Sequence, residues 1–241
     1  MDRSYDDSMT DGARSALGSD GRMPARGRDR FIAQVYALMS LGLGTSALTA
    51  FVAYSTGFYE RIVHGPLFWV VLLAPVALVI LLGAAIDRLS LAAAHLAFWL
   101  YAVLMGVSLA GIFVIYTGGS LFQTFLAAAA VFAGMSFYGR TTRRDLSSFG
   151  AFLMMGLFGI IIAGLVNLFL GSPALDFAVS AIGVVIFTGL TAYDTQKLER
   201  LYAASDPARS GKAAILGALT LYLDLINLFL VLLRFLGRRK R

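Results

Sequence analysis

An all-α polytopic membrane protein with seven spanning helices is the fold class this sequence predicts, and three observations predict it. Of the 241 residues, 59% are hydrophobic and only 14% charged, against roughly 45–50% and about 25% in a soluble domain. The apolar residues gather into seven stretches, each near the roughly 20 residues a helix needs to cross a bilayer. Their hydrophobicity is continuous, which excludes a membrane barrel built from strands of about ten residues with a period of two. The lipid bilayer is therefore the solvent for most of the chain.

Residues 1–30 carry six Arg and six Asp among Ser and Gly. Such a segment buries too little apolar surface to offset the entropy of ordering, and it reads as a disordered cytoplasmic tail. The apolar run 31–54 is longer than a signal-peptide core and no cleavage pattern follows it, so it is the first span. The second, 66–86, contains Pro75, whose missing N–H should bend the helix. Stretches 91–116, 121–138, 149–170, 175–193 and 213–236 complete the seven. The membrane domain thus covers 31–237, and 238–241 form a basic tail. Tyr54, Tyr59, Trp69, Tyr116 and Tyr138 fall near span ends, where amphipathic rings meet the interface. Small residues four apart (Ser40 with Gly44, Ala130 with Gly134, Gly159 with Ala163) mark close helix approach inside the bundle.

A net charge of +6 does not imply a nucleic-acid partner, because the basic residues lie in tails and connectors and form no patch on a soluble face. With the amino terminus cytoplasmic, that side holds six basic residues in the tail, then Arg88, Arg140, Arg143, Arg144, Lys197, Arg200, Arg209 and Lys212. The opposite loops offer Arg61, so the positive-inside rule sets this orientation. Arg234, Arg238, Arg239, Lys240 and Arg241 resist it: seven full spans put them outside, and a re-entrant last helix would not. The preference for Arg over Lys and the lack of a presequence fit a bacterial inner membrane.

With no cysteine, thiolate metal sites and cysteine nucleophiles are excluded. The chain has no Walker loop, GxSxG elbow or HExxH pair, and His64 and His95 stand alone. No catalytic residue is assigned, and an enzyme is not expected. Asn167 and Gln34 read as interhelical hydrogen-bonding groups.

Asp224 is the one acid deep inside a span. An ionised carboxylate there costs about 2.5–3.5 kcal/mol on insertion scales, so it must be protonated, paired or facing water. Gly217, Thr220, Asp224 and Asn227 follow a spacing of three, four and three, which makes one polar seam on an apolar helix. Asp194 ends the sixth span, on the side to which the connector returns the chain, so the two acids could approach. Two carboxylates in a low-dielectric site share a proton, and once ionised they offer the hard oxygen ligands that calcium prefers. Arg88 lies on the same side, either as a competitor for Asp194 or as a snorkelling anchor beside Asp87.

At these residues the sequence resembles the Bax inhibitor-1 family. The resemblance rests on Ala192-Tyr193-Asp194-Thr195-Gln196, on Leu221-Tyr222-Leu223-Asp224-Leu225-Ile226-Asn227-Leu228-Phe229 and on Leu232-Leu233-Arg234, and it covers roughly 31–237. It implies a seven-helix fold whose last helix is central and wrapped by the other six. It also implies a pH-sensitive calcium leak in which Asp194 and Asp224 are the proton-sensing and calcium-gating pair and Arg88 is the latch. No cofactor is implied; calcium is the permeant ion and protons gate it. An alternative implied by the family is a regulatory role, in which the protein binds and restrains a membrane-bound quality-control protease.

Overall fold

The computed structural model describes residues 25–204 and 210–240. Most of the segment expected to be a disordered tail, 1–24, lies outside the described residues. Residues 25–30 are already helical, so the first helix begins six residues before the apolar run.

Nine helices form among the described residues: α1 (Ala25–Ser55), α2 (Phe58–Ile62), α3 (Pro66–Ala85), α4 (Leu91–Leu109), α5 (Gly111–Ile115), α6 (Gly118–Thr141), α7 (Ser147–Leu170), α8 (Pro173–Ala204) and α9 (Ser210–Leu236). Seven are long and apolar enough to span a membrane, with α4 and α5 together making the third. The order and number agree with the sequence reading; the ends do not all agree. Helix α1 gains its extra turn because charged side chains can stay helical where they find partners. Arg28 lies 3.8 Å from Asp29 and 3.9 Å from Glu199 of α8, and the Phe31 ring packs on Tyr202. Helix α8 runs eleven residues past Tyr193, where the sixth apolar stretch ends. Its apolar period survives that change of composition: Asp194, Leu198, Leu201 and Tyr202 share one face, and Leu198 is buried.

The last helix is the core of the bundle. Helices α8, α1, α6, α4 and α3 pack on α9. Helix α7 packs on α8 and faces α9 across a groove lined by Leu157, Ile160, Gly164, Asn227 and Leu230. Small residues admit the neighbours. A Cβ at Gly217 would stand 2.7 Å from Leu198 and 3.3 Å from Val35, so only glycine lets α8 and α1 come this close. The small-residue pairs expected to do this work do not: Ser40, Gly44, Ala130, Gly134 and Gly159 face outward, and no atom would meet a Cβ at Gly44, Gly134 or Gly159 within 4 Å. Spacing identified small residues but not the side of the helix on which they pack.

Helix α9 is continuous from one end of the bundle to the other, which removes the re-entrant alternative. At its start the Lys212 ammonium donates to the Asp87 carbonyl on the α3–α4 turn (3.2 Å). Beyond its last turn the chain docks at the opposite end. There the Thr117 N–H donates to the Arg238 carbonyl (3.0 Å) and the Lys240 N–H to the Ile115 carbonyl (2.9 Å), and the Arg238 N–H donates to Ser120 Oγ (2.8 Å). Arg234 pairs with Asp176 at 3.1 Å, and Lys240 lies 5.0 Å from the centre of the Tyr54 ring. Of the basic residues that resisted the orientation rule, Arg234, Arg238, Arg239 and Lys240 therefore sit at the end opposite to the start of α1, the side chains of Arg234 and Lys240 held by local partners; Arg241 lies outside the described residues.

Two polar details correct or complete the sequence reading. Pro75 leaves the Val71 carbonyl of α3 without its helical donor, and Ser108 Oγ of α4 supplies one at 2.6 Å. Asn167, expected to bond between helices, instead caps its own: its Oδ1 accepts the Ser172 N–H at 2.9 Å, next to Gly171 in the left-handed conformation that ends α7 (φ +58°). Gln34 faces outward.

Candidate functional site

The inward face of α8 carries Asp194, and the matching level of α9 carries Asp224. Both are buried, at 8% and 5% exposure, and each carboxyl lies within electrostatic reach of the other. Backbone proximity makes this possible. Helix α6 meets α8 at Gly139, where a side chain would collide with the Ala192 carbonyl, so three helices converge beside the acids. Among the described residues Asp224 Oδ2 has no hydrogen-bond donor. Asp194 has a loose cationic neighbour one turn on, Lys197 Nζ at 4.0 Å, itself half exposed and 5.8 Å from the centre of the Tyr193 ring. An unsatisfied buried carboxylate oxygen costs free energy unless a proton or a cation occupies it. The pair is thus a site that can hold either.

No third acid or imidazole joins these two in a metal-binding cluster among the described residues. Calcium takes six to eight oxygen ligands, so two carboxylates alone fall short of a resident calcium cage.

The remaining site candidates fall elsewhere. Arg88 is on the α3–α4 turn at the same end of the bundle and exposed; among the described residues it forms no ion pair with Asp194, and the nearest cation to the acids is Lys197. Thr220 on the α9 seam spends its hydroxyl on the Leu216 carbonyl at 3.0 Å. Asn227 is half-buried and lines the groove between α7, α8 and α9, together with Asp176 and Arg234. The seam thus leads from Asp224 toward the far end of the bundle along α9.

Sequence reasoning missed the polar frame around the pair. Tyr36 of α1 hydrogen-bonds Ser136 of α6, which bonds Thr195 of α8 at 3.0 Å, and Thr195 follows Asp194 directly. At the next position, Gln196 Oε1 accepts the Leu146 N–H at 2.9 Å and its Nε2 donates to the Arg144 carbonyl at 2.8 Å. Arg200 binds Asp145 and Ser147. These bonds pin the α6–α7 connector to α8 just beyond Asp194. The partners in this frame are 50 to 100 residues apart, separations at which no local pattern signals a contact.

Comparison with known proteins agrees with this architecture. The family model described as "Inhibitor of apoptosis-promoting Bax1" matches residues 28–241. The inner membrane protein YbhL of Escherichia coli is 47% identical over 225 residues, covering 90% of this chain and 95% of YbhL. An uncharacterized protein of Borreliella burgdorferi is 44% identical over 217 residues, covering 88% and 94%, and an uncharacterized protein of Caulobacter vibrioides is 40% identical over 223 residues, covering 88% and 89%. Matched along nearly all its helices, this bundle with an acid on its central helix belongs to the Bax inhibitor-1 family.

Proposed function

We propose that the protein is a passive calcium leak of the bacterial inner membrane, in which protons and calcium compete for the Asp194 and Asp224 carboxylates. The observation that carries the reading is the juxtaposition of two buried acids on α8 and on the central helix, with no cation closer to them among the described residues than Lys197 at 4.0 Å. A carboxylate inside a membrane bundle marks ion pathways, and the Asn227 groove continues the polar seam. When protonated, the pair is neutral and has no affinity for a divalent ion. When it is ionised, calcium replaces the proton, and leakage requires that it bind weakly enough to leave.

Flux into dye-loaded liposomes tests this. Asp194→Asn and Asp224→Asn should each abolish the pH dependence of calcium entry; unchanged flux and unchanged pH response in both would remove the pair from the mechanism. The latch is tested beside it. Arg88→Gln should raise the leak if Arg88 swings onto Asp194 in a closed state, whereas Lys197→Gln should raise it if the neighbouring lysine does that work.

The inner membrane is the reading that follows from YbhL, and the amino-terminal end faces the cytoplasm in this proposal. Among the described residues that end holds Arg28, Arg30, Arg88, Arg140, Arg143, Arg144, Lys197, Arg200 and Lys212, an excess of the kind that stays inside. Because the chain has no cysteine, a single Glu60→Cys change reports orientation: an impermeant maleimide should label it from the periplasm. The regulatory alternative separates cleanly, since deletion of residues 1–24 should remove a tail-bound protease and leave the calcium leak intact.

A further inference from the structure

Helices α1 and α6 are joined by Tyr36 and Ser136 near the amino-terminal end. Toward the opposite end a crevice of about 680 Å³ opens between them and reaches the central helix. Met39, Leu43, Phe125, Phe132, Leu225 and Phe229 form its walls, and Gly44 and Ala47 of α1 leave space in it. Among the described residues its only polar side chains are Ser40 and Ser46. The Ser46 hydroxyl is already committed, donating to the Ala102 carbonyl at 2.5 Å and meeting Tyr222 OH at 2.7 Å. A space of this size lies within the usual range for small-molecule clefts, but it offers water too few partners to be filled by water. In a bilayer it opens on acyl chains.

The mouth of the crevice is cationic. Phe113, on its rim, accepts a hydrogen bond from the Lys240 ammonium through its carbonyl at 2.7 Å. Gly118 and Leu121, also lining it, flank Ser120, which anchors the Arg238 backbone. The side chains of Arg238 and Arg239 are exposed and have no ion-pair partner among the described residues. Helix α6 begins at the same place with no side-chain cap on its first N–H groups, which adds positive potential.

The geometry points to a bound anionic phospholipid, one acyl chain lying in the α1–α6 crevice and its phosphate held by Arg238, Arg239 and Lys240. The occupant is a lipid of the leaflet opposite the amino-terminal end. The headgroup gives Arg238 and Arg239 the counter-charge they lack among the described residues, and the apolar walls exclude a free phosphate ester as the whole ligand.

Native mass spectrometry of the full chain, extracted from vesicles of equal phosphatidylglycerol and phosphatidylcholine with matched chains, tests this. One phosphatidylglycerol should be retained in preference to phosphatidylcholine. A juxtamembrane basic residue strengthens anionic-lipid binding by roughly fivefold, so Arg238→Gln with Arg239→Gln should cut that preference by about 25-fold. Gly44→Leu, placed where a side chain meets open space, should expel the acyl chain and lower retention of either lipid. Equal retention of the two lipids by the parent, or parental selectivity in the double Gln variant, overturns the headgroup site. Unchanged retention in Gly44→Leu, or release by glycerol phosphate alone, overturns the acyl site. A second protein chain that is lost on Gly44→Leu would assign the crevice to a helix instead of a lipid.

Discussion

Helices α7 and α9 are similar in length and both strongly apolar, yet 67% of the apolar window of α9 is buried in the bundle and only 11% of that of α7. Overall hydrophobicity does not decide which helix is wrapped by protein and which by lipid. What separates them is the arrangement of small and polar residues. Helix α9 sets Ala213, Ala214, Gly217 and Ala218 against its neighbours and carries Asp224 where a second acid can answer it. Helix α7 has four glycines to the two of α9, but Gly159 and Gly164 look out on open space, and its large side chains point into the hydrocarbon. Lipid is as apolar as leucine, so packing and hydrogen bonding give one helix its place at the centre.

The sharpest test exchanges one leucine for alanine on each helix. Leu228 is fully buried in α9, whereas Leu168 of α7 is 78% exposed. Leu228→Ala should cost about 2–5 kcal/mol through the cavity it leaves, and Leu168→Ala should stay within about 0.5 kcal/mol. Reversible unfolding in mixed micelles would measure both. Equal losses would mean that the α7 face is covered in the native protein.

Next in size is overpacking. Gly217→Leu forces carbon into contact with Leu198 and Val35, at a cost of typically about 1–3 kcal/mol. Gly159→Leu meets no neighbour and should leave stability unchanged or raise it slightly, since leucine is the better helix former. If Gly217→Leu were silent in thermal denaturation, the approach of α8 and α1 to the central helix would be looser than the distances imply.

Helix α3 sharpens the comparison, since it faces lipid much as α7 does but carries Pro75. The freed Val71 carbonyl needs the Ser108 hydroxyl, so Ser108→Ala should cost about 1 kcal/mol, in line with hydrogen bonds between membrane helices. The same change in Pro75→Ala should cost less, because the helix then supplies its own donor. A full loss in both backgrounds would assign Ser108 a packing role.

Seven helices and their order were legible because continuous apolar runs of spanning length leave few alternatives. Their ends were less so. Composition turns polar after Tyr193, but α8 continues, because Leu198 still finds the α9 surface at Gly217. Asp224 stood out as a charge inside a span. That Asp194 comes within electrostatic reach of it was suggested by the returning connector and by a resemblance, since spacing fixes a residue's face on its own helix and says nothing of how two helices are rotated. The same limit hid the Tyr36, Ser136 and Thr195 chain. It also misassigned Asn167, whose nearest unsatisfied N–H lay in its own turn.

The smallest expected effect concerns how α7, with so little packing, is held at all. Its first turn is tied to α8 through Asp145, which accepts from the Ser147 hydroxyl (2.8 Å) and N–H (3.0 Å) and binds Arg200. The Ser147 hydroxyl, the Ser147 N–H and Arg200, in that order, hold the Asp145 carboxyl down at about 2 from its ordinary 3.8. A depressed acid stabilises the fold fully above its unfolded value and loses that contribution as pH falls through the folded one. Parent and Asp145→Asn should therefore differ in thermal stability at pH 5, by a small margin given the group's full exposure, and converge between pH 4 and pH 2. Salt should shrink the Arg200 share of the difference. A gap that keeps its pH 5 size at pH 2 would show that the asparagine disturbs the turn itself, and that α7 is anchored by its shape and not by this charge.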